Sequence, residues 1–148
     1  MASKEYFKLT PAVYLLLIAD NKILLLRRFN TGYEDGNYSL VSGHMESGET
    51  PTQAIEREVS EEAGIVIAHK NLKLVHVLHR SFKDISNDRI DFFFTCNDWK
   101  GTITNMEPAK CDDLSWHTLN KLPTNTIGYI KQAIDCYKKA EFYSEYSC

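Results

Sequence analysis

A chain of 148 residues suits one domain, and 43% hydrophobic with 25% charged side chains is the ordinary globular mix, which excludes disorder over most of the length. Lys and Arg number 17 against 20 Asp and Glu, a net charge of −3, so charge makes no case for a nucleic-acid polymer or an anionic membrane as partner. The longest apolar run, Ala12 to Ala19, falls well short of the ~20 residues that span a bilayer. Cys96, Cys111, Cys136 and Cys148 form neither a C-x-x-C pair nor a zinc spacing. With no secretory signal pattern at the N-terminus, four reduced thiols in a cytoplasmic protein are expected.

In chain order, Ala12–Ala19 and Lys22–Arg27 are rich in Val, Ile and Leu and flank Asp20-Asn21, which reads as a hairpin. Residues 30–37, NTGYEDGN, are turn-formers and predict a loop. Tyr38–Val41 predicts a short strand running into Ser42-Gly43. Thr50 then opens a helix as N-cap, with Pro51 at the first position and Gln53 completing a capping box. Gly64 closes it, and Ile55, Val59 and Ala63 form its apolar stripe. Leu72–Arg80 and Ile90–Cys96 predict two strands joined by the polar connection Asp84–Arg89. Trp99–Asp113 reads as mostly irregular, Leu114–His117 as a last short strand, and Ile127–Lys138 as an amphipathic helix. Residues after Tyr143 are expected to fray. The alternation favours a single α/β layered domain over residues 1–148, with its core at about 8–140.

The stretch from residue 46 to 62 holds six Glu and one Arg. At ~100° per residue, Glu58, Glu61 and Glu62 share one helix face beside the apolar stripe. Like charges gathered against a core need a counter-ion. Carboxylates without nearby Cys or His are hard oxygen ligands, which suit Mg²⁺ or Mn²⁺ better than Zn²⁺.

Residues 43–65, GHMESGETPTQAIEREVSEEAGI, resemble the Nudix box, G-x5-E-x7-R-E-U-x-E-E-x-G-U with U aliphatic. Gly43, Glu49, Arg57, Glu58, Val59, Glu61, Glu62, Gly64 and Ile65 meet every fixed position. The resemblance implies a Nudix-type α/β/α sandwich, with a mixed β-sheet and the box as a loop–helix–loop. It also implies a hydrolase of the MutT-like group that takes a small-molecule nucleotide. By resemblance, Glu58, Glu61, Glu62 and the Gly43 carbonyl are metal ligands, while Glu49 and Arg57 form a structural salt bridge. Which carboxylate serves as base is left open.

Downstream, residues 105–116, NMEPAKCDDLSW, are similar to a stretch in family members that act on nucleoside triphosphates. There Glu107 matches an acidic residue that reaches the metal site from a loop. Arg28 matches an Arg that contacts substrate phosphate, and His44 takes a position where Lys or His is often found. Ser42 departs from the usual second Gly. Phe29, Tyr33, Tyr38 and Phe82 are aromatics available to stack on a base. The implied reaction is hydrolysis of a nucleoside diphosphate linked to another group, foremost a (d)NTP or modified NTP giving the monophosphate and pyrophosphate. Nucleotide sugars and dinucleoside polyphosphates are the rivals within the class, and a non-catalytic nucleotide sensor is the rival outside it. A homodimer is the family-level expectation.

Overall fold

The computed structural model describes residues 2–83 and 87–148. Residues 84–86 of the connection expected at Asp84–Arg89 lie outside the described residues. In chain order the elements are β1 (Thr10–Leu16), β2 (Ile18–Ala19), β3 (Lys22–Arg28), β4 (Tyr38–Ser39), β5 (Val41–His44), α1 (Pro51–Ala63), β6 (Leu72–Ser81), β7 (Arg89–Cys96), β8 (Cys111–Thr118), α2 (Gly128–Lys138) and β9 (Tyr143–Ser147).

Five strands form a mixed sheet in the order β5-β1-β7-β6-β9. Within it β1 is antiparallel to β5 and parallel to β7, while β6 is antiparallel to β7 and parallel to β9. A second sheet gathers β2, β4 and β8 around β3, all antiparallel. The apolar run expected as one strand is divided at Leu17, beyond which β2 turns into a hairpin with β3. Asp20 and Asn21 sit at φ 51° and 58°, the left-handed pair that a two-residue I′ turn requires. The strand expected at Tyr38–Val41 also changes sheet, at Leu40, and continues as far as His44. Both breaks let one stretch of chain stitch the two sheets together.

Alternation along β1 sends side chains to two apolar layers. Ala12, Tyr14 and Leu16 join Ile130, Ala133 and Ile134 of α2. Val13, Leu15 and Leu17 join Ala54, Ile55, Val59 and Ala63 of α1. The outcome is a helix–sheet–helix sandwich, as the resemblance implied. On α1, the Thr50 side chain accepts from the Gln53 amide, the Gln53 side chain accepts from the Thr50 amide, and Gly64 closes the helix at φ 67°. Among the described residues no helix is long and apolar enough to cross a membrane.

Two expectations are corrected. The strand expected at Leu114–His117 begins at Cys111. Its acidic start does not look like a strand, but Arg27 Nε donates to Asp112 (2.7 Å) and the Tyr38 hydroxyl donates to Asp113. Cross-strand partners of this kind stabilise polar residues in a ladder. The C-terminus does not fray after Tyr143. It forms β9, because buried His76 contacts the Ser144 hydroxyl at 2.7 Å and the Glu141 carbonyl at 2.8 Å. Tyr146 adds an edge-on aromatic contact, 6.0 Å from Tyr129.

Candidate active site

Burial of Ile55, Val59 and Ala63 fixes the roll of α1, and that roll turns Glu58 and Glu62 toward β5. The backbone amide of Ser42 donates to Glu62 Oε1 at 2.8 Å. Glu58 packs directly against Gly43: a Cβ there would lie 2.6 Å from Glu58 Oε2 and nearer still to the rest of the carboxylate. Close approach, not backbone twist, therefore demands glycine at this position. Glu61 is the more exposed of the three.

Arg57 is the cation of this cluster. Its Nε and Nη2 donate to both oxygens of Glu49 (2.7 and 3.0 Å) and its Nη2 to the His44 carbonyl (3.1 Å). Its Nη1 donates to Glu58 (2.7 Å) and Glu61 (3.3 Å). One guanidinium thus ties the β5–α1 loop to the helix and bridges two acids. Glu107 arrives from the β7–β8 loop. Asn105 Oδ1 accepts from the Glu107 amide at 3.1 Å, and the neighbouring Met106 amide donates to the Glu62 carbonyl at 3.2 Å.

Electrostatics reports how crowded the acids are. Burial pushes the Glu58 carboxyl above the ordinary range, Arg57 pulls it back, and Glu61 and Glu107 push it up again. Burial raises Glu62 to about 8, with Glu58 and Glu107 adding to the rise and the Ser42 amide and Arg28 opposing it. Among the described residues, no three ligating side chains converge closely enough to hold an ion where they now stand. The donor set is nevertheless all oxygen, under-compensated in charge, and backed by a glycine that leaves space only for a carboxylate. Those features fit a hard divalent cation.

A cleft of about 600 Å³ is lined by Ser42, Gly43 and His44 of β5 and reaches Tyr129 of α2. Arg28 also lines it, its Nε donating to the Tyr33 carbonyl (2.6 Å) and its guanidinium lying over the Tyr33 ring. His44 is held below its usual pKa by burial and then by Arg89, Arg80 and Arg28, so its imidazole is neutral at neutral pH. Of the four aromatics singled out for stacking, Tyr33 and Phe82 line the cleft. Tyr38 is buried, and Phe29 is half exposed elsewhere.

Arg80, Arg89, Lys110, Tyr14 and Tyr129 line the same cleft and were not foreseen. A signal for one of them was present: Arg80 shares its strand face with buried Leu78 and is itself buried, whereas Arg89 at the start of β7 is only partly buried. A charge on the inward parity of an apolar strand is a buried charge, and buried charges are paired or functional. The four cysteines form no disulfide.

Comparison with known proteins agrees with this geometry. An ADP-ribose pyrophosphatase of Methanocaldococcus jannaschii is 32% identical over 117 residues, covering 78% of this chain and 66% of that protein. An NAD-capped RNA hydrolase NudC of Vibrio atlanticus is 36% identical over 142 residues, 92% of this chain and 49% of that one. The chain thus spans between half and two-thirds of these relatives. The crystal structure of a MutT NUDIX hydrolase from Burkholderia pseudomallei superposes with a TM-score of 0.79 over 86% of this chain and 97% of that chain, at 22% identity. The profile of the NUDIX domain matches residues 8–135, and with the box, the sandwich and the acidic cluster in register, the chain belongs to the Nudix family.

Proposed function

We propose that this protein is a Mg²⁺-dependent hydrolase of the diphosphate linkage in a nucleoside diphosphate joined to a second group. A nucleoside triphosphate, giving the monophosphate and pyrophosphate, is the preferred case. The observation that carries this reading is the pair Glu58 and Glu62 packed against Gly43 and Ser42 of β5, two residues that also line a cleft bordered by Arg28, Arg80, Arg89 and Lys110. Anionic substrate and acidic ligands are uncomfortable neighbours unless a cation stands between them.

Glu58, Glu61, Glu62, Glu107 and the Gly43 carbonyl would hold that cation, with Mn²⁺ a substitute. When bound, it supplies positive charge against the diphosphate and lowers the pKa of water. The chain's own residues do the rest. Arg28, close enough to Glu62 to lower its pKa, binds a phosphate oxygen next to the reacting centre. Neutral His44 donates a hydrogen bond to the substrate. Arg57 fixes the loop and helix relative to each other, so that the acids stay in place while substrate binds. Displacement at phosphorus depends on such positioning and charge, without a covalent protein nucleophile.

ADP-ribose or another nucleotide sugar is the second reading, favoured by the name of the Methanocaldococcus jannaschii relative. The test is a panel of nucleoside triphosphates, ADP-ribose, nucleotide sugars, NAD and dinucleoside polyphosphates with Mg²⁺, products resolved by chromatography. Monophosphate and pyrophosphate from a triphosphate support the first reading. A nucleoside monophosphate and a sugar phosphate would move the substrate to the second. No cleavage across the panel would overturn both and leave a nucleotide-binding module.

A further inference from the structure

Three arginines around the site are matched to acids. Arg27 meets Asp112 at 2.7 Å, Arg57 meets Glu49 at 2.7 Å, and buried Arg80 meets Asp91 at 2.6 Å. Arg28 and Lys110 differ: among the described residues neither forms an ion pair. Arg28 is oriented by neutral groups, its Nε donating to the Tyr33 carbonyl (2.6 Å) and its Nη2 to the Thr31 hydroxyl (3.1 Å). That leaves Nη1 without a partner among the described residues. Lys110 is exposed. Both residues line the cleft that Ser42 and Gly43 line.

Backbone bonds hold the two cations side by side. The Lys110 and Cys111 amides donate to the Glu107 carbonyl at 2.9 and 3.0 Å, closing a turn whose ends stand within about 7 Å. Asn105 Nδ2 donates to the Cys111 carbonyl at 2.7 Å and staples the base of the loop. The Phe29 amide donates to the Lys110 carbonyl at 2.9 Å, and Arg28 stands opposite Cys111 in the β3–β8 ladder. Lys110 thus has Arg28 on one side and Glu107, a proposed metal ligand, on the other.

Neighbouring cations without acids repel each other and favour a multiply charged anion. A terminal phosphate carries nearly two charges and three acceptor oxygens. Each phosphate of a sugar-linked diphosphate carries one charge. Arg supplies directed donors to such a group, and Lys supplies a compact charge.

We propose that Lys110, acting with Arg28, is a specificity-determining residue that holds the terminal phosphate of a nucleoside triphosphate and so selects it over a sugar-linked diphosphate. This rests on the proposed function for laying the diphosphate beside the acids, and it is read by binding as well as by turnover. Calorimetric titration of the full chain with Mg²⁺ compares α,β-methylene ATP with α,β-methylene ADP-ribose, which share a nucleoside and differ at the far end. Wild type should bind the triphosphate analogue at least about tenfold tighter. Lys110→Met should weaken that analogue about tenfold and leave the sugar-linked one within about twofold. Lys110→Arg should restore most of the difference, and the melting transition of both variants should match wild type.

Equal loss for both analogues, loss for neither, or a wild type that favours the sugar-linked analogue overturns the inference. Equal kcat/KM for ATP and ADP-ribose keeps the proposed function and removes the selectivity. Cleavage of neither, with Lys110-dependent binding of the triphosphate analogue, removes the proposed function and keeps the phosphate grip.

Discussion

Gly43→Ala separates site geometry from fold stability. A Cβ at this position would overlap the Glu58 carboxylate, standing 2.6 Å from Oε2 where non-bonded carbon and oxygen need well over 3 Å. The backbone of Gly43 is not in the left-handed region, so alanine adds no backbone strain. The clash is with the end of a flexible side chain, which can swing away. Relief should cost about 1 kcal/mol, the low end for overpacking, or a melting shift of about 2–4 °C. Swinging away also breaks the Arg57–Glu58 contact at 2.7 Å and removes a proposed metal ligand from its place. Activity should therefore fall far more than stability, by on the order of 10²-fold in kcat, as for displaced metal-site partners. Melting by circular dichroism and turnover at saturating Mg²⁺, measured on the same preparation, give both numbers. Near-wild-type kcat would refute the placing of Glu58 in the chemistry. A melting loss beyond about 10 °C would refute the claim that the carboxylate can yield.

Other outcomes follow from the same structure. Arg57→Lys keeps the charge but loses the two-point grip on Glu49, so it should destabilise by about 1–2 kcal/mol, read as a drop in melting temperature; an unchanged transition would show that loop and helix are joined by other means. Glu62 has its folded pKa raised to about 8 by burial. Its protonation therefore stabilises the metal-free fold below the unfolded value, near 4.5, and that stability is lost as pH rises through about 8. Glu62→Gln should flatten this loss in chelator, and a parallel pH–melting curve for both proteins would contradict the assignment. Because a divalent cation must displace that proton, its affinity should climb with pH up to about 8 and then level off, as measured by titration with Mn²⁺. Deleting residues 143–148 removes the β9 ladder and the Ser144 partner of His76. It should cost on the order of 3 kcal/mol; melting unchanged from the full chain would return this segment to a frayed tail.

The α1 helix was legible because every signal for it is local: Thr50 and Gln53 cap it, Gly64 ends it, and Ile55, Val59 and Ala63 repeat at one spacing. The acids on its other face follow from the same geometry. Sheet exchange at Leu17 and Leu40 left no mark, since Leu is at home in either sheet and the break is set by which strand lies alongside. Acidic Asp112 and Asp113 hid the start of β8, because their partners, Arg27 and Tyr38, are about 75 to 85 residues away in sequence. For the same reason Tyr143–Ser147 read as a tail: the parallel partner, β6, lies more than 60 residues upstream. Three of the four acids of the site are written in one helix, whereas the cationic cleft is assembled from β1, β3, β5, β6, β7, α2 and the loops beside them, so of its cationic lining only Arg28 was visible beforehand, together with His44 and the aromatics Tyr33 and Phe82.

The central claim is that the acids of α1 hold the cation that makes a diphosphate cleavable. Its most direct test compares Mg²⁺-dependent pyrophosphate release from nucleoside triphosphates by wild type, Glu61→Gln and Glu62→Gln, each folded by its melting transition. The account predicts release by wild type that chelator abolishes, with both variants reduced at least about 10²-fold at saturating Mg²⁺. Turnover near the wild-type rate in both variants would contradict it.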